Sequence, residues 1–218
     1  MTSVADRIHR DLADYCATLR RTTNEYDPGL RAATEHFLSA LEAAKTTPAQ
    51  LVVLGAELCG LTDEKSVLIA ARAVQMTHVA ALMNTQDAQA RAAAGIGMHA
   101  AHILLANMDT SEDVRIKMLS ITSRALMLHA QAQSYQDQAK ALHSYATESV
   151  LNPLHVGMVL ANADCAATDA ITPFALALGH YEHARDPRDL QQAEAEKAAI
   201  TQWPPELLQN IQRTIIAF

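Results

Sequence analysis

The stretch from residue 62 to residue 84 constrains the fold more than any other. Thr62 and Asp63 read as a helix start, and the residues that follow, rich in Val, Leu, Ile, Ala and Met, are apolar on most of a helical circumference. Such a helix has to be surrounded. Arg72, Gln75 and His78 interrupt its most apolar part, residues 67 to 83, which reads as too short and too broken to span a bilayer. The expectation is a buried central helix in a cytoplasmic protein with no transmembrane segment.

The rest of the chain supplies helices to surround it. Val4, Ile8, Leu12, Tyr15 and Leu19 recur at three- and four-residue steps with Asp and Arg between them, which predicts an amphipathic first helix on the bundle surface. Asp27 and Pro28 read as the cap and first-turn proline of a second helix carrying Leu30, Phe37, Leu38 and Leu41. Thr46, Thr47 and Pro48 break that pattern before a short apolar helix over 50 to 59 that ends at Gly60. Further helices are predicted over 88 to 107, 111 to 145, 153 to 163 and 169 to 185. A weaker one follows over 190 to 200, then a last stripe of Leu207, Leu208, Ile211 and Ile215 after Pro204 and Pro205. Seven Gly and seven Pro in 218 residues, with no alternating strand pattern and no internal repeat, predict one all-α domain over 1–218.

A net charge of -7 with scattered Lys and Arg excludes a nucleic-acid surface, which needs clustered cations. The amino terminus lacks the charged start and apolar run of a signal peptide. Cys16, Cys59 and Cys165 have no metal-type spacing, and they read as reduced thiols in apolar surroundings.

Several segments, taken in order, resemble successive helices of the trans-prenyltransferase (polyprenyl diphosphate synthase) family. Pro48-Ala49-Gln50-Leu51-Val52-Val53-Leu54-Gly55-Ala56-Glu57-Leu58-Cys59-Gly60 resembles the helix after the family's basic G-K-R-x-R-P motif. Ala73-Val74-Gln75-Met76-Thr77-His78-Val79-Ala80-Ala81-Leu82-Met83 resembles the helix that delivers the first aspartate-rich motif, and residues 97 to 105 the apolar helix after it. Residues 131 to 137 are similar to the family's Gly-Gln-x-x-Asp stretch. Ala175-Leu176-Ala177-Leu178-Gly179-His180-Tyr181-Glu182-His183-Ala184-Arg185-Asp186-Pro187-Arg188-Asp189 resembles the helix that delivers the second aspartate-rich motif. The resemblance spans residues 42 to 189 and implies a helical bundle of the isoprenoid synthase type, ending about two helices early by family expectation.

Ionising an allylic diphosphate requires divalent metal held by carboxylates on two facing helices, and cations that anchor the phosphates. The departures fall on those groups. Thr85, Gln86 and Gln89 occupy the first aspartate-rich motif, with Asp87 off register; Arg91 is alone where the family has paired arginines; Ala44, Lys45, Thr46 and Thr47 replace the basic motif; and Val150, Leu151 and Asn152 lie near the family's Lys-Thr-Gly. In the second motif Asp186 and Asp189 match two aspartates and are the candidate metal ligands, while Arg185 replaces the first and would repel a cation.

With these departures the resemblance implies a catalytically silent subunit, needing no cofactor, that dimerises with itself or with an active prenyl diphosphate synthase and modulates product chain length. Two alternatives stay open. One is a diverged prenyltransferase or terpene synthase that binds an allylic diphosphate with Mg²⁺ through Asp186 and Asp189, and the other is a metal-free isoprenoid-binding protein. Met76, Met83, Met98, Met108, Met118, Met127 and Met158 read either as the lining of an apolar channel or as gap-filling core. Among the ten histidines, His99 with His102 and His180 with His183 sit three apart as candidate metal pairs, against the plainer reading of a histidine-rich surface. His78 reads as a buried base or a hydrogen-bonded core histidine.

Overall fold

The computed structural model describes residues 3–23, 28–84 and 87–217. Among them are eleven α-helices and one π-turn, and no strand. The helices are α1 (Val4–Thr23), α2 (Pro28–Ala43), α3 (Thr47–Leu58), α4 (Glu64–Met83), α5 (Ala88–Ala106), α6 (Glu112–Ser134), α7 (Gln138–Ala146), α8 (Asn152–Leu160), α9 (Cys165–Ala184), α10 (Pro187–Ala199) and α11 (Pro205–Ile216), with the π-turn (Thr147–Leu151) joining α7 to α8. The proposed cap Asp27 and the motif positions Thr85 and Gln86 lie outside the described residues.

α4 is the axis of the bundle. By length and composition it is apolar enough to cross a membrane, contrary to the expectation from its interrupting polar residues. It lies instead within the protein, packed by α1, α2, α3, α5, α6 and α8. Each polar interruption has a partner there. Arg72 makes a bidentate pair with Asp11 of α1 (2.6 and 2.9 Å) and lies over the Tyr15 ring, and Gln75 donates to the Lys45 carbonyl (2.8 Å). One cluster of buried side chains, including Leu12, Phe37, Leu38, Val52, Met76, Met118 and Val156, joins α1 to α6 and α8, and a second, including Leu51, Leu154, Phe174, Leu178, Leu208 and Ile211, joins α3, α8, α9 and α11.

α3 belongs to both clusters and crosses α8 at backbone contact. A Cβ at Gly55 would land on the Leu154 carbonyl oxygen, and one at Gly157 on that of Val52, so both positions require glycine.

The helix expected over 111 to 145 is two helices. The Tyr135 to Asp137 corner divides them, and Asp137 caps α7 by accepting from the amides of Ala139 and Lys140. The helix expected from 153 begins far earlier, because α7, the π-turn and α8 form one continuous rod. α9 starts at Cys165, capped by Asp164, rather than near 169, and Cys165 is exposed there rather than in apolar surroundings. α10 starts at Pro187, not at 190.

Candidate functional site

The π-turn has a local cause. Pro153 lacks the N–H that an α-helix would direct to the Ser149 carbonyl, and its ring would crowd that carbonyl. The turn before it widens, with the Asn152 amide reaching the Thr147 carbonyl. Within the widened turn Glu148 and Ser149 face the bundle interior. Glu148 is 5% exposed.

Three elements converge on these two residues. From α4, His78 Nδ1 lies 2.8 Å from Glu148 Oε1. From α6, His129 Nδ1 lies 3.8 Å from Glu148 Oε2, beyond hydrogen-bond reach, and this buried nitrogen has no hydrogen-bond partner. From α9, Glu182 Oε2 and His183 Nε2 each lie 3.0 Å from Ser149 Oγ. Tyr145, at the end of α7, stacks on His183 with ring centroids 5.3 Å apart and meets His129 edge-on at 5.6 Å.

The charges in this cluster satisfy one another. Burial alone would raise the Glu148 carboxyl, but the neighbouring His78 and His129 outweigh it and hold it at about 2. The same burial would depress His78, and the charges of Glu148 and Glu182 raise it instead. His183 is held below the ordinary histidine value by burial, with the positive charge of His78 adding to it. The result is an internal ion pair, not a cluster of cations facing an anion.

The space beside it is nearly filled. Pro48, Val74, His78, Thr122, Glu148 and Val156 line a cavity of about 10 Å³, room for about one water. A larger open groove of about 460 Å³ lies between α7 and α9, along Leu142, Tyr145 and His183.

A different pattern marks the outside of α5 and α6. Ile96, His99, Ile103 and Ala106 follow one another along α5, and Ile116, Ser120, Ser123, Met127 and Ala130 along α6, at three- and four-residue steps and without a charged side chain. Ile103, Ile116 and Met127 are 60%, 57% and 63% exposed.

No protein-family model matches this chain, and no curated protein matches it in sequence. Solved structures do match its backbone over nearly its whole length. The geranyl diphosphate synthase small subunit from Antirrhinum majus superposes with a TM-score of 0.73 at 16% identity, covering 97% of this chain and 100% of that one. An FPP/GFPP synthase from Zymomonas mobilis gives 0.74 at 12%, covering 97% of each. A chain of a deletion mutant of the mint heterotetrameric geranyl pyrophosphate synthase gives 0.70 at 14%, covering 99% of each. The fold is that of the trans-prenyltransferases.

In this prenyltransferase fold the two candidate metal ligands sit at the start of α10. Asp186 is its cap: Oδ1 accepts from the Arg188 amide, and both carboxylate oxygens accept from the Arg188 guanidinium, which holds the carboxyl below its ordinary value. Asp189 lies in the first turn of the same helix. Arg185 stands at the left-handed end of α9 (φ 54°) with its guanidinium over Tyr181. Among the described residues no three His, Cys, Asp or Glu side chains form a group that could hold a metal ion, and the Asp186 carboxylate is engaged by Arg188. On the other side, Asp87 caps α5 by accepting from the Ala90 amide, and Gln89 is exposed in its first turn.

The histidine pairs part company. His183 turns inward to Ser149, whereas His180 packs against His143 of α7 with ring centroids 5.8 Å apart. His102 lies 3.4 Å from Ser123 on α6, and His99 is exposed. Met76, Met108, Met118 and Met158 are buried core, and Met127 is on the outer stripe. Reasoning from sequence identified His78 but missed Glu148, Ser149 and Glu182. The available signal was a lone acid, Glu148, two residues before the apolar pair Val150 and Leu151 in a segment otherwise read as helical packing.

Proposed function

We propose that this chain is a single-domain, catalytically silent subunit of prenyltransferase fold that works in the cytoplasm, in isoprenoid biosynthesis, by associating with a catalytically active homologue. The observation that carries the reading is the interior Glu148. An allylic diphosphate is strongly anionic, and an ionised, buried carboxylate beside a cavity of about 10 Å³ offers it neither charge nor room. The outer stripe of α5 and α6 supplies the second half of the argument. Three large apolar side chains exposed along two neighbouring helices fit a partner presenting a similar helix pair. The likeness to the Antirrhinum majus small subunit, and to a chain of the heterotetrameric mint enzyme, supports a place beside an active synthase.

The test is co-expression with a synthase that carries both aspartate-rich motifs, followed by native mass spectrometry and assay of product chain length. A mixed oligomer with altered product length is expected. Self-association alone, or no association, would remove the partner. Calorimetric titration of the isolated chain with farnesyl diphosphate should give no heat of binding with or without Mg²⁺. Mg²⁺-dependent binding that disappears in an Asp186→Ala, Asp189→Ala variant would overturn the silent reading in favour of an enzyme.

A further inference from the structure

α7 and α9 touch where α9 lacks a side chain: a Cβ at Gly179 would stand 2.7 Å from Ala146. Past that contact the open groove of about 460 Å³ runs along Gln138, Ala141, Leu142 and Tyr145 of α7 and His183 and Ala184 of α9. Its volume is that of a small-molecule site, and among the described residues no Asp, Glu, Lys or Arg lines it. The flanking cations are engaged elsewhere, Lys140 with Asp137 (3.7 Å) and Arg185 over the Tyr181 ring. A phosphate or carboxylate would find no counter-charge along this groove, and neither would an ammonium ion.

What the groove does offer follows from counting protons. Ser149 Oγ lies 3.0 Å from both Glu182 Oε2 and His183 Nε2, but a hydroxyl has one proton to give. A carboxylate can only accept, so that proton goes to Glu182. His183 Nε2 must then carry the hydrogen and donate to Ser149 Oγ, which leaves the ring's lone pair on Nδ1. Burial holds His183 below the ordinary histidine value, so the ring stays neutral and keeps that lone pair. The Tyr145 ring, stacked on it at 5.3 Å, fixes its orientation. The chain of contacts from Glu182 through Ser149 to His183 therefore ends in a fixed acceptor, on a side chain that is 32% exposed and lines the groove.

We infer that the groove between α7 and α9 is a binding site for a neutral apolar alcohol, whose hydroxyl donates to Nδ1 of His183.

The rest of the lining suits such a ligand. Leu142, Ala141 and Ala184 give its apolar body a surface to cover, and the Tyr145 ring extends it. A hydroxyl also accepts, and the Gln138 amide and the Tyr145 phenol, both along the groove, are donors. An ether of the same shape leaves the Nδ1 lone pair without a donor, so the site should tell the two apart.

The inference needs no partner subunit, and its test uses the isolated full-length chain. Nitrogen NMR of the histidine rings at about pH 7.5 should show His183 as the Nε2–H tautomer. The chain would then be titrated with 1-hexanol, hexyl methyl ether and hexyl phosphate. 1-Hexanol should shift His183 Nδ1 and the Tyr145 ring and bind about five- to tenfold more tightly than the ether, while the phosphate leaves both rings unmoved. His183→Phe keeps a ring to stack on Tyr145 and should bind alcohol and ether equally. Ser149→Ala releases the tautomer while retaining His183, and should shrink the preference for the alcohol, which keeps the test sound if His183→Phe folds poorly. An Nδ1–H tautomer, equal binding of alcohol and ether by the unaltered chain, no shift at either ring, tighter binding of the phosphate, or a preference that survives intact in either variant would each overturn the assignment.

Discussion

The interior around the π-turn and the outer faces of α5 and α6 invert the usual arrangement of a water-soluble bundle. Inside, a carboxylate, three histidines and a second acid are gathered between α4, α6 and α9; outside, Ile103, Ile116 and Met127 face solvent. Burying ionic groups rarely adds net stability, and exposing large apolar ones adds none. Each region therefore points to something other than stability. The interior selects one arrangement of helices, and the exterior is complementary to another surface.

The sharpest way to break the comparison is at Glu148. Glu148→Leu should cost about 3–5 kcal/mol in urea denaturation, because it strands His78 among apolar neighbours. Adding His78→Leu should recover most of that loss, since an apolar pair of similar volume can replace a buried ion pair nearly neutrally. A single-variant cost below about 1 kcal/mol would mean that the interior charges are solvated and the contrast is false.

The exterior should respond oppositely. Ile103→Asp combined with Met127→Asp should weaken association with an active synthase by at least about tenfold, or about 1.4 kcal/mol, in sedimentation experiments. The same change should alter the stability of the isolated chain by no more than about 0.5 kcal/mol. Arg185, at the corner between α9 and α10, holds a left-handed conformation without being glycine. Arg185→Gly should raise stability by about 1 kcal/mol in the same denaturation assay.

The gentlest perturbation is pH. His102, His155, His180 and His183 all have folded values below their ordinary 6.5, each chiefly through burial, so the unfolded chain takes up protons that the folded one resists. Their contribution to stability is complete above pH 6.5 and is lost as the pH falls below it. His78 works the other way, being raised: its contribution is complete below 6.5 and is lost as the pH rises through its folded value. Four against one, denaturation midpoints should decline on acidification from pH 6.5, and His183→Gln should flatten that decline. Glu148 gives up its contribution only from about pH 4.5 down to about 2.

Much of the architecture was legible because it rests on local pattern. The apolar circumference of α4 required neighbours on every side, and the period of Val4, Ile8, Leu12, Tyr15 and Leu19 marked α1 as an amphipathic helix on the bundle surface. The corner at Tyr135 was hidden because residues 131 to 140 are polar on every face, so no apolar stripe changes direction there; only the capping of α7 by Asp137 marks the break. Asp186 was legible as a residue but not as a cap, since its engagement by Arg188 depends on the bend between α9 and α10. Glu148 was hidden for a third reason. Helical spacing counted in steps of 3.6 residues misassigns every face beyond a widened turn, and no residue type announces such a turn except Pro153 downstream.

That turn has a consequence for tolerated length. The rod from α7 through α8 must present Glu148 to His78 and, nine residues on, Gly157 to Val52, two contacts on different neighbours. Deleting a single residue between 147 and 151 would straighten the rod into ordinary helix and rotate one end against the other by about 100°. Either the acid or the glycine would then face the wrong helix. A substitution at most positions here changes one contact, whereas a change of one in the number of residues would uncouple the two halves of the bundle.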